Sequence, residues 1–241
     1  LFGQCCDMSV IKKIAKKYSL FIVEDAAQSL GSRVIENNAS NAIHSGTIGD
    51  IGITSFYPSK NLGCFGDGGA IFTQNSDLAK KIRLIANHGQ AVKYHHDMVG
   101  LNSRLDAIQA TVLSFKLPIL NDFNNQRQNV AKLYDERLKK LDWLACPFKS
   151  KKTDHIYHQY SILLSPLVNR DNFRNHLSEK NIPTMIYYPI PLHQQRAYSS
   201  YSKTPLPVAE DVAKRIISLP MHPDLDLLQV NYICDVIQRY N

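Results

Sequence analysis

A short, continuous apolar segment is the strongest constraint that this sequence places on the fold. The segment 20–23 is apolar at four consecutive positions and ends at Glu24 and Asp25. A run without polar alternation is typical of a strand that is covered on both faces, as in a parallel sheet. It follows a helical repeat over 7–18, in which Asp7 stands at the N-cap position. We therefore predict an α/β chain in which two carboxylates lie at the carboxyl end of a strand, the edge where ligands bind in open α/β sheets.

Two further segments carry strand patterns. Residues 53–57 follow a glycine-containing stretch, and residues 70–73 follow the glycine-rich segment 66–69. Asp67-Gly68 stands between these two apolar segments, and this dipeptide favours a hairpin turn. The glycine-rich segment lacks the spacing of a dinucleotide-binding motif or a P-loop, so we interpret it as a turn rather than as a phosphate cradle.

Helical patterns fill the middle of the chain, and shorter predicted strands and helices alternate after them. Residues 77–87 are amphipathic, and residues 104–141 carry a long helical pattern that Pro118 interrupts, which predicts a kink or a break there. We predict that residues 1–117 belong to a large domain and that residues 118–241 form a linking helix and a small α+β domain. In the small domain we expect strands at 155–164 and 184–188 and helices at 171–180, 207–218 and 225–240.

Charge and cysteine usage narrow the classes of function. The formal net charge is +7, but the lysines are dispersed and no RNA-binding or helix-turn-helix motif accompanies them, so we expect no nucleic-acid partner. Scattered positive charge suits an anionic small molecule equally well.

No apolar run reaches the roughly 18 residues of a membrane span, and no signal peptide is visible. Five cysteines without a CxxC pair predict no disulfide framework and favour the cytoplasm. His95 and His96 are adjacent, so their side chains point differently, and no cluster of carboxylates accompanies them, so we predict no metal site.

Four residues at or after strand ends could carry chemistry together. Lys60 follows a strand within a turn, where burial would lower the pKa of its amine and leave it able to attack an aldehyde. Asp25 could keep a pyridine nitrogen protonated, Ser55 could bind phosphate and Gln28 could reach a ring hydroxyl, as a pyridoxal-phosphate enzyme requires. Spacing alone leaves other interpretations open. Lys60 could be a surface lysine, and Asp25 could cap a following helix.

Six short strings occur in chain order: EDAAQ at 24–28, SFYPSKNLG at 55–63, GDGGA at 66–70, NHGQ at 87–90, GLNSRLD at 100–106 and YYPIPLH at 187–193. Each string alone is modest, but their shared order makes the signal strong. Together they resemble the DegT/StrS family of pyridoxal-phosphate-dependent sugar aminotransferases. The resemblance runs from 2–4 to 218–220, essentially the whole chain.

The resemblance implies fold type I of the pyridoxal-phosphate-dependent transferases. A partial large domain with a central mixed, mostly parallel sheet would precede a small C-terminal α+β domain. Lys60 would form the Schiff base with pyridoxal 5'-phosphate and move the proton, and Asp25 would pair with the pyridinium nitrogen. Gln28 would contact the ring hydroxyl, and Ser55 would hold the phosphate. Asn102 would reach the cofactor phosphate of the neighbouring subunit, because active sites of the family lie at a homodimer interface.

The resemblance also implies residues on the substrate side. Arg104 would lie near the sugar nucleotide, where a cation favours an anionic ligand. Tyr187, Tyr188 and His193 match the substrate-side loop, although many relatives have His where this chain has Tyr187. The segment 93–96 looks more like that of the branch that aminates C3 of UDP-linked 3-keto-hexuronic acids than like that of the C4 branch. Enzymes of 3-keto-6-deoxy-hexoses have similar strings.

The reaction implied is amino transfer from L-glutamate to a UDP- or dTDP-linked keto sugar nucleotide, for O-antigen, other surface polysaccharides or glycans. Two alternatives stay open. One is a sugar dehydratase of the same family, which uses His in place of the lysine at position 60. The other is a non-catalytic fragment that acts by association. Family members carry a phosphate loop and a stacking aromatic ring upstream of 2–4, and this sequence does not contain them.

Overall fold

Three stretches of the chain, residues 1–35, 42–201 and 204–240, are described by the computed structural model. Contacts divide them into two units. The first unit contains Leu1 and the described residues of 3–125 and 149–158, and the second contains Phe2, residues 126–148 and those after 158. The predicted site residues up to Arg104 all belong to the first unit, and the later ones belong to the second.

The first unit combines short strands with amphipathic helices. The N-terminal helix begins as predicted, because the Asp7 carboxylate accepts a hydrogen bond from the Val10 amide at 3.4 Å and caps the first turn. In chain order the elements are α1 (Met8–Tyr18), β1 (Val23–Asp25), β2 (Arg33–Ile35), β3 (Ala42–His44), β4 (Ile51–Ser55), β5 (Gly69–Phe72), α2 (Ser76–Ala86), β6 (Gln90–Val92), β7 (His95–His96) and α3 (Ala107–Lys116).

The sheet that carries the predicted site has the strand order β1-β4-β5. β1 runs parallel to β4, and Asp25 pairs with Ile53, so both strands end at the same edge. β4 runs antiparallel to β5, with Ser55 opposite Gly69. The sheet is therefore mixed, as predicted, and separate antiparallel pairs join β2 to β3 and β6 to β7.

The hairpin prediction is half right. β4 and β5 are antiparallel neighbours, but the segment 56–68 connects them, so Asp67-Gly68 is not a two-residue turn. Instead it lies at the end of this long connection, where the Phe56 amide donates to the Gly68 carbonyl at 2.7 Å. The long connection leaves room for Lys60 at the sheet edge.

The apolar segment 20–23 does not form a strand covered on both faces. β1 begins only at Val23, and Leu20, Phe21 and Val23 are each close to 60% exposed within the described chain. The buried residue of β1 is the polar one, Glu24. In this strand the charged residue is therefore buried and apolar Val23 is exposed. Glu24 can be buried because backbone N–H groups of the loop 46–49 donate hydrogen bonds to its carboxylate.

The predicted break at Pro118 is confirmed. α3 ends at Lys116, a 3-10 turn covers Leu117–Ile119, and α4 covers Leu120–Leu138. Pro118 has no backbone N–H to donate, so the α-helical hydrogen-bond pattern is interrupted at this position.

The second unit is built around an antiparallel sheet of strand order β10-β9-β8. Its fully buried side chains include Tyr134 and Tyr160, whose ring centroids lie 4.8 Å apart, and Phe173. Besides the later part of α4, the elements are β8 (Leu144–Ala145), β9 (Tyr160–Leu164), α5 (Arg170–Glu179), α6 (Pro207–Arg215), β10 (Ile216–Leu219) and α7 (Leu227–Gln238), with 3-10 turns at Leu192–Gln194 and Arg196–Tyr198.

Three predicted elements of this region were wrong in extent or type. The helix predicted at 207–218 ends at Arg215, and the next four residues are buried in β10, paired with β9. The strand predicted at 184–188 is reduced to a single bridge between Met185 and Ser218. The strand predicted at 155–164 begins at Tyr160. These elements depend on strand pairing between segments that are far apart in the sequence. The local residue pattern from which they were predicted contains no information about that pairing.

Candidate active site

Adjacent carboxylates at the end of β1 have opposite environments. Glu24 is 6% exposed, and its carboxylate accepts backbone hydrogen bonds from Gly46 at 2.7 Å, Ile48 at 3.0 Å and Gly49 at 3.3 Å. Asp25 points to the other face and is exposed, and its carboxylate accepts from the Ala27 amide at 3.0 Å. Glu24 therefore fixes a loop, whereas Asp25 remains accessible to a ligand. A turn rather than a helix follows Asp25, so the helix-cap interpretation is wrong.

Ser55 ends the neighbouring strand at the same edge of the sheet. The Ala26 amide donates to the Ile53 carbonyl at 2.8 Å, which continues the parallel pairing one step beyond Asp25. The hydroxyl of Ser55 accepts a hydrogen bond from the Tyr57 amide at 3.3 Å. Parallel pairing thus brings a carboxylate and a hydroxyl to the carboxyl ends of adjacent strands, where ligands bind in α/β sheets.

Lys60 lies in the turn that follows Ser55, and its amine meets the residues after β1. When the Gln28 amide is oriented so that both of its ends have partners, its oxygen accepts from Lys60 Nζ at 3.2 Å and its nitrogen donates to the Leu1 carbonyl. Burial lowers the pKa of Lys60 from its ordinary value, and the carboxylate of Asp25 opposes this effect. The structure therefore brings Asp25, Gln28 and Lys60 together, and Lys60 is only partly exposed.

Asn102 and Arg104 form a separate polar pair in the first unit. Arg104 Nε donates to the Asn102 side-chain oxygen at 3.0 Å, and Arg104 also donates to Asn87 at 3.4 Å. Both residues are exposed. Within the described residues no hydrogen bond or ion pair joins them to Lys60, so the structure does not bring them into the Asp25–Lys60 group.

Tyr187, Tyr188 and His193 belong to the second unit. Tyr188 is 56% exposed, and its ring meets that of Tyr187 edge-on at 5.7 Å. His193 Nε2 lies 2.9 Å from the Glu210 carboxylate, and this contact lowers the pKa of Glu210. The structure therefore gives His193 a partner within its own unit.

The residues that hold the Lys60 turn carry no pattern that predicts this role. Leu62 and Cys64 are buried, and Lys116 from α3 donates to the Gly63 carbonyl at 2.7 Å. Asn61 donates to Asn124 at 2.7 Å. The only local signal was that Asn61 follows Lys60 directly, and nothing in the sequence indicated its partner in α4.

These groups fit pyridoxal phosphate by their chemistry. An amine of lowered pKa can react with an aldehyde, a carboxylate can pair with a protonated pyridine nitrogen, and an amide can contact a ring hydroxyl. Among the residues that the structure describes, no group of three or more His, Cys, Asp or Glu side chains is placed to hold a metal ion. Nor does any described helix have both the length and the apolar character needed to cross a membrane.

The model of the DegT/DnrJ/EryC1/StrS aminotransferase family matches residues 1–238. A curated protein of Pseudomonas aeruginosa, UDP-2-acetamido-2-deoxy-3-oxo-D-glucuronate aminotransferase, is 43% identical over 97% of this chain and 62% of its own length. UDP-N-acetyl-3-dehydro-alpha-D-glucosamine 3-aminotransferase of Acidithiobacillus ferrooxidans is 41% identical over 99% of this chain and 62% of its own length.

A solved structure has a similar fold. The crystal structure of S. venezuelae DesV in complex with a ketimine intermediate superposes with a TM-score of 0.91 at 36% identity, over 99% of this chain and 62% of that one. The chain thus spans about three fifths of the length of the relatives that it matches.

Proposed function

Because this chain belongs to the DegT/DnrJ/EryC1/StrS aminotransferase family, we propose that it transfers an amino group from L-glutamate to a keto sugar nucleotide with pyridoxal 5'-phosphate as cofactor. The observation that carries this proposal is the meeting of Lys60 with Gln28 and Asp25 at the carboxyl edge of the parallel strands. We assign the cofactor-binding role to residues 1–117 and the linking helix and small domain to residues 118–241.

When bound, pyridoxal phosphate supplies a reactive carbonyl carbon and an electron-accepting ring. Lys60 Nζ would hold the cofactor at that carbon, and its amine, whose pKa burial lowers, would accept and return the proton that moves during amino transfer. The Asp25 carboxylate would hold the proton on the pyridine nitrogen. Gln28 would orient the ring hydroxyl, and the Ser55 hydroxyl would donate to the phosphate.

We propose the C3 ketone of a UDP-linked sugar as the acceptor. Two relatives that are at least 41% identical act, by their names, on UDP-linked 3-oxo sugars. A dTDP-linked sugar is the second candidate, because a dTDP-3-amino-3,4,6-trideoxy-alpha-D-glucose transaminase of Streptomyces venezuelae is 36% identical. Arg104 would bind the nucleotide phosphates, because guanidinium groups pair well with phosphate oxygens. Tyr187, Tyr188 and His193 would contact the sugar.

A homodimer would complete the site, with Asn102 of one protomer reaching the cofactor phosphate of its partner. The exposure of Asn102 within the chain is compatible with a contact between subunits. We place the reaction in the cytoplasm, in the supply of aminated sugar nucleotides for surface polysaccharide or glycan synthesis. Lys60 disfavours the dehydratase alternative, since those members of the family lack the lysine.

The test is amino transfer by the 241-residue chain incubated with pyridoxal phosphate, L-glutamate and either a UDP-linked or a dTDP-linked 3-keto sugar. We expect 2-oxoglutarate and the 3-amino sugar in equal amounts, lost in Lys60→Ala and kept in Lys80→Ala, whose lysine is exposed on α2. Ammonia release without glutamate would replace the proposal with a dehydratase. No turnover by the folded chain with either sugar would replace it with a non-catalytic role.

A further inference from the structure

Two buried polar side chains hold Asn61, the residue that follows Lys60. Asn61 Nδ2 donates to the side-chain oxygen of Asn124 at 2.7 Å and lies 3.5 Å from the Ile156 carbonyl oxygen. The side-chain oxygen of Asn61 lies 2.9 Å from His158 Nδ1. Asn124 and His158 are 5% and 4% exposed. We call Asn61, Asn124 and His158 the Asn61 cluster.

The Asn61 cluster is directional. Asn61 uses its amide nitrogen toward Asn124, so its oxygen is left to accept from His158 Nδ1–H. Asn61 is only partly exposed, and its partner Asn124 is buried, so few positions of the Asn61 side chain satisfy both of its ends. The cluster therefore specifies one conformation of the Lys60 turn, which apolar packing alone would define less sharply.

The backbone around Asn124 is shaped to admit its side chain. Gly31 has φ +95°, and a Cβ atom placed there would lie 2.4 Å from Asn124 Nδ2. Gly31 ends the turn 27–31, which contains Gln28, the residue whose amide meets the amine of Lys60. Asn124 thus contacts the Lys60 turn through Asn61 and lies against the end of the Gln28 turn.

We propose that the Asn61 cluster positions the Lys60 amine against Gln28 and Asp25. The three residues are positioning residues, because they act on the amine through the backbone of the turn. This inference rests on the proposed function for the use made of Lys60. The effect of the cluster on the pKa and accessibility of the Lys60 amine can be measured without cofactor or substrate.

The sign of the effect follows from what surrounds the Lys60 amine. Burial is the larger influence on its pKa and lowers it, whereas Asp25 raises it. A turn released from Asn124 would carry the amine into water and away from Asp25 together. Because burial dominates, the pKa of Lys60 should rise toward the ordinary lysine value of about 10.4.

The experiment measures acetylation of Lys60 in the 241-residue chain by acetic anhydride across a range of pH, with mass spectrometry and exposed Lys80 as the internal reference. The midpoint of the rate against pH gives the pKa of the amine, and the plateau gives its accessibility. In Asn124→Leu we expect the midpoint to rise by about half a pH unit or more, which is about a threefold loss of neutral amine at pH 8. Asn124→Asp keeps an oxygen that can accept from Asn61, so its Lys60 midpoint should lie close to that of the unsubstituted chain.

A control variant separates positioning from loss of stability. Val34→Ala removes buried volume elsewhere in the first unit, so it should lower the unfolding midpoint without moving the Lys60 midpoint. If Asn124→Leu does not fold, Asn61→Ser decides the question, because a serine hydroxyl is too short to reach both partners. A Lys60 midpoint unchanged in the folded variants, or shifted equally by Val34→Ala, would overturn the proposal. Either result stands whether or not the chain transfers amino groups.

Discussion

Replacing each of two adjacent carboxylates with alanine should separate folding from function. Glu24 is buried and satisfies three backbone N–H groups of the 46–49 loop, whereas Asp25 is exposed and satisfies one. In Glu24→Ala the three donors lose their partner. Asp25→Ala leaves one donor that water can reach. The same chemical deletion at neighbouring positions therefore has different expected consequences.

The expected magnitude for Glu24 follows from the burial of its donors. A buried donor left without a partner costs about 1–3 kcal/mol, and the bonds to Ile48 and Gly49 are only partly buried. We therefore expect Glu24→Ala to lower the free energy of unfolding of the first unit by about 3 kcal/mol. For Asp25→Ala the loss should stay below about 1 kcal/mol, since its one hydrogen bond is exposed.

The assay is urea unfolding followed by circular dichroism. Circular dichroism is needed because the one tryptophan, Trp143, lies in the second unit and its fluorescence reports on that unit. If Glu24→Ala does not fold, Glu24→Gln serves, because it keeps one acceptor oxygen and should lose about half as much. Equal losses in Glu24→Ala and Asp25→Ala, or a loss below about 1 kcal/mol at Glu24, would refute the assignment of separate roles.

Two further predictions concern other parts of the first unit. Burial raises the pKa of the Cys5 thiol to about 12, so at pH 8 iodoacetamide should alkylate exposed Cys6 and leave Cys5 unmodified in the folded chain, as peptide mapping would detect. Comparable rates at the two thiols would contradict this packing. The Lys152 amine, 2.6 Å away, lowers the pKa of Asp7 to about 2, so the charged carboxylate stabilises the fold above the unfolded-state pKa near 4. The advantage of the native chain over Asp7→Asn in urea midpoint should be present at pH 6 and lost as the pH falls from about 4 to about 2, and an advantage independent of pH would refute it.

Local signals in the sequence predicted the elements that local interactions determine. Asp7 as a helix cap and the break at Pro118 depend on residues within one turn of themselves, and both are confirmed. The burial of Glu24 in β1 depends on donors from residues 46–49, more than twenty positions away, so the apolar pattern at 20–23 wrongly predicted a strand covered on both faces. The β10 strand likewise forms because Ile216–Leu219 pairs with β9.

The candidate site likewise contains residues that local sequence predicted and residues that it did not. The strings around Asp25, Gln28 and Lys60 predicted a group that the structure brings together. Asn124 and His158 could not be predicted, because they lie 63 and 97 residues from Asn61 and neither stands in a recognisable pattern. The predicted ligand-contacting residues lie in short sequence motifs that can be recognised. The residues that position them lie far away in the sequence and are identified only from the three-dimensional structure.

The most direct test of this account is the location of a cofactor adduct. The 241-residue chain would be incubated with pyridoxal phosphate and reduced with borohydride, and the modified lysine would be identified by mass spectrometry. We expect stoichiometric modification at Lys60, which is partly buried beside Gln28 and Asp25, and its loss in Lys60→Ala. Modification spread over exposed lysines such as Lys80, and unchanged in Lys60→Ala, would contradict the central claim.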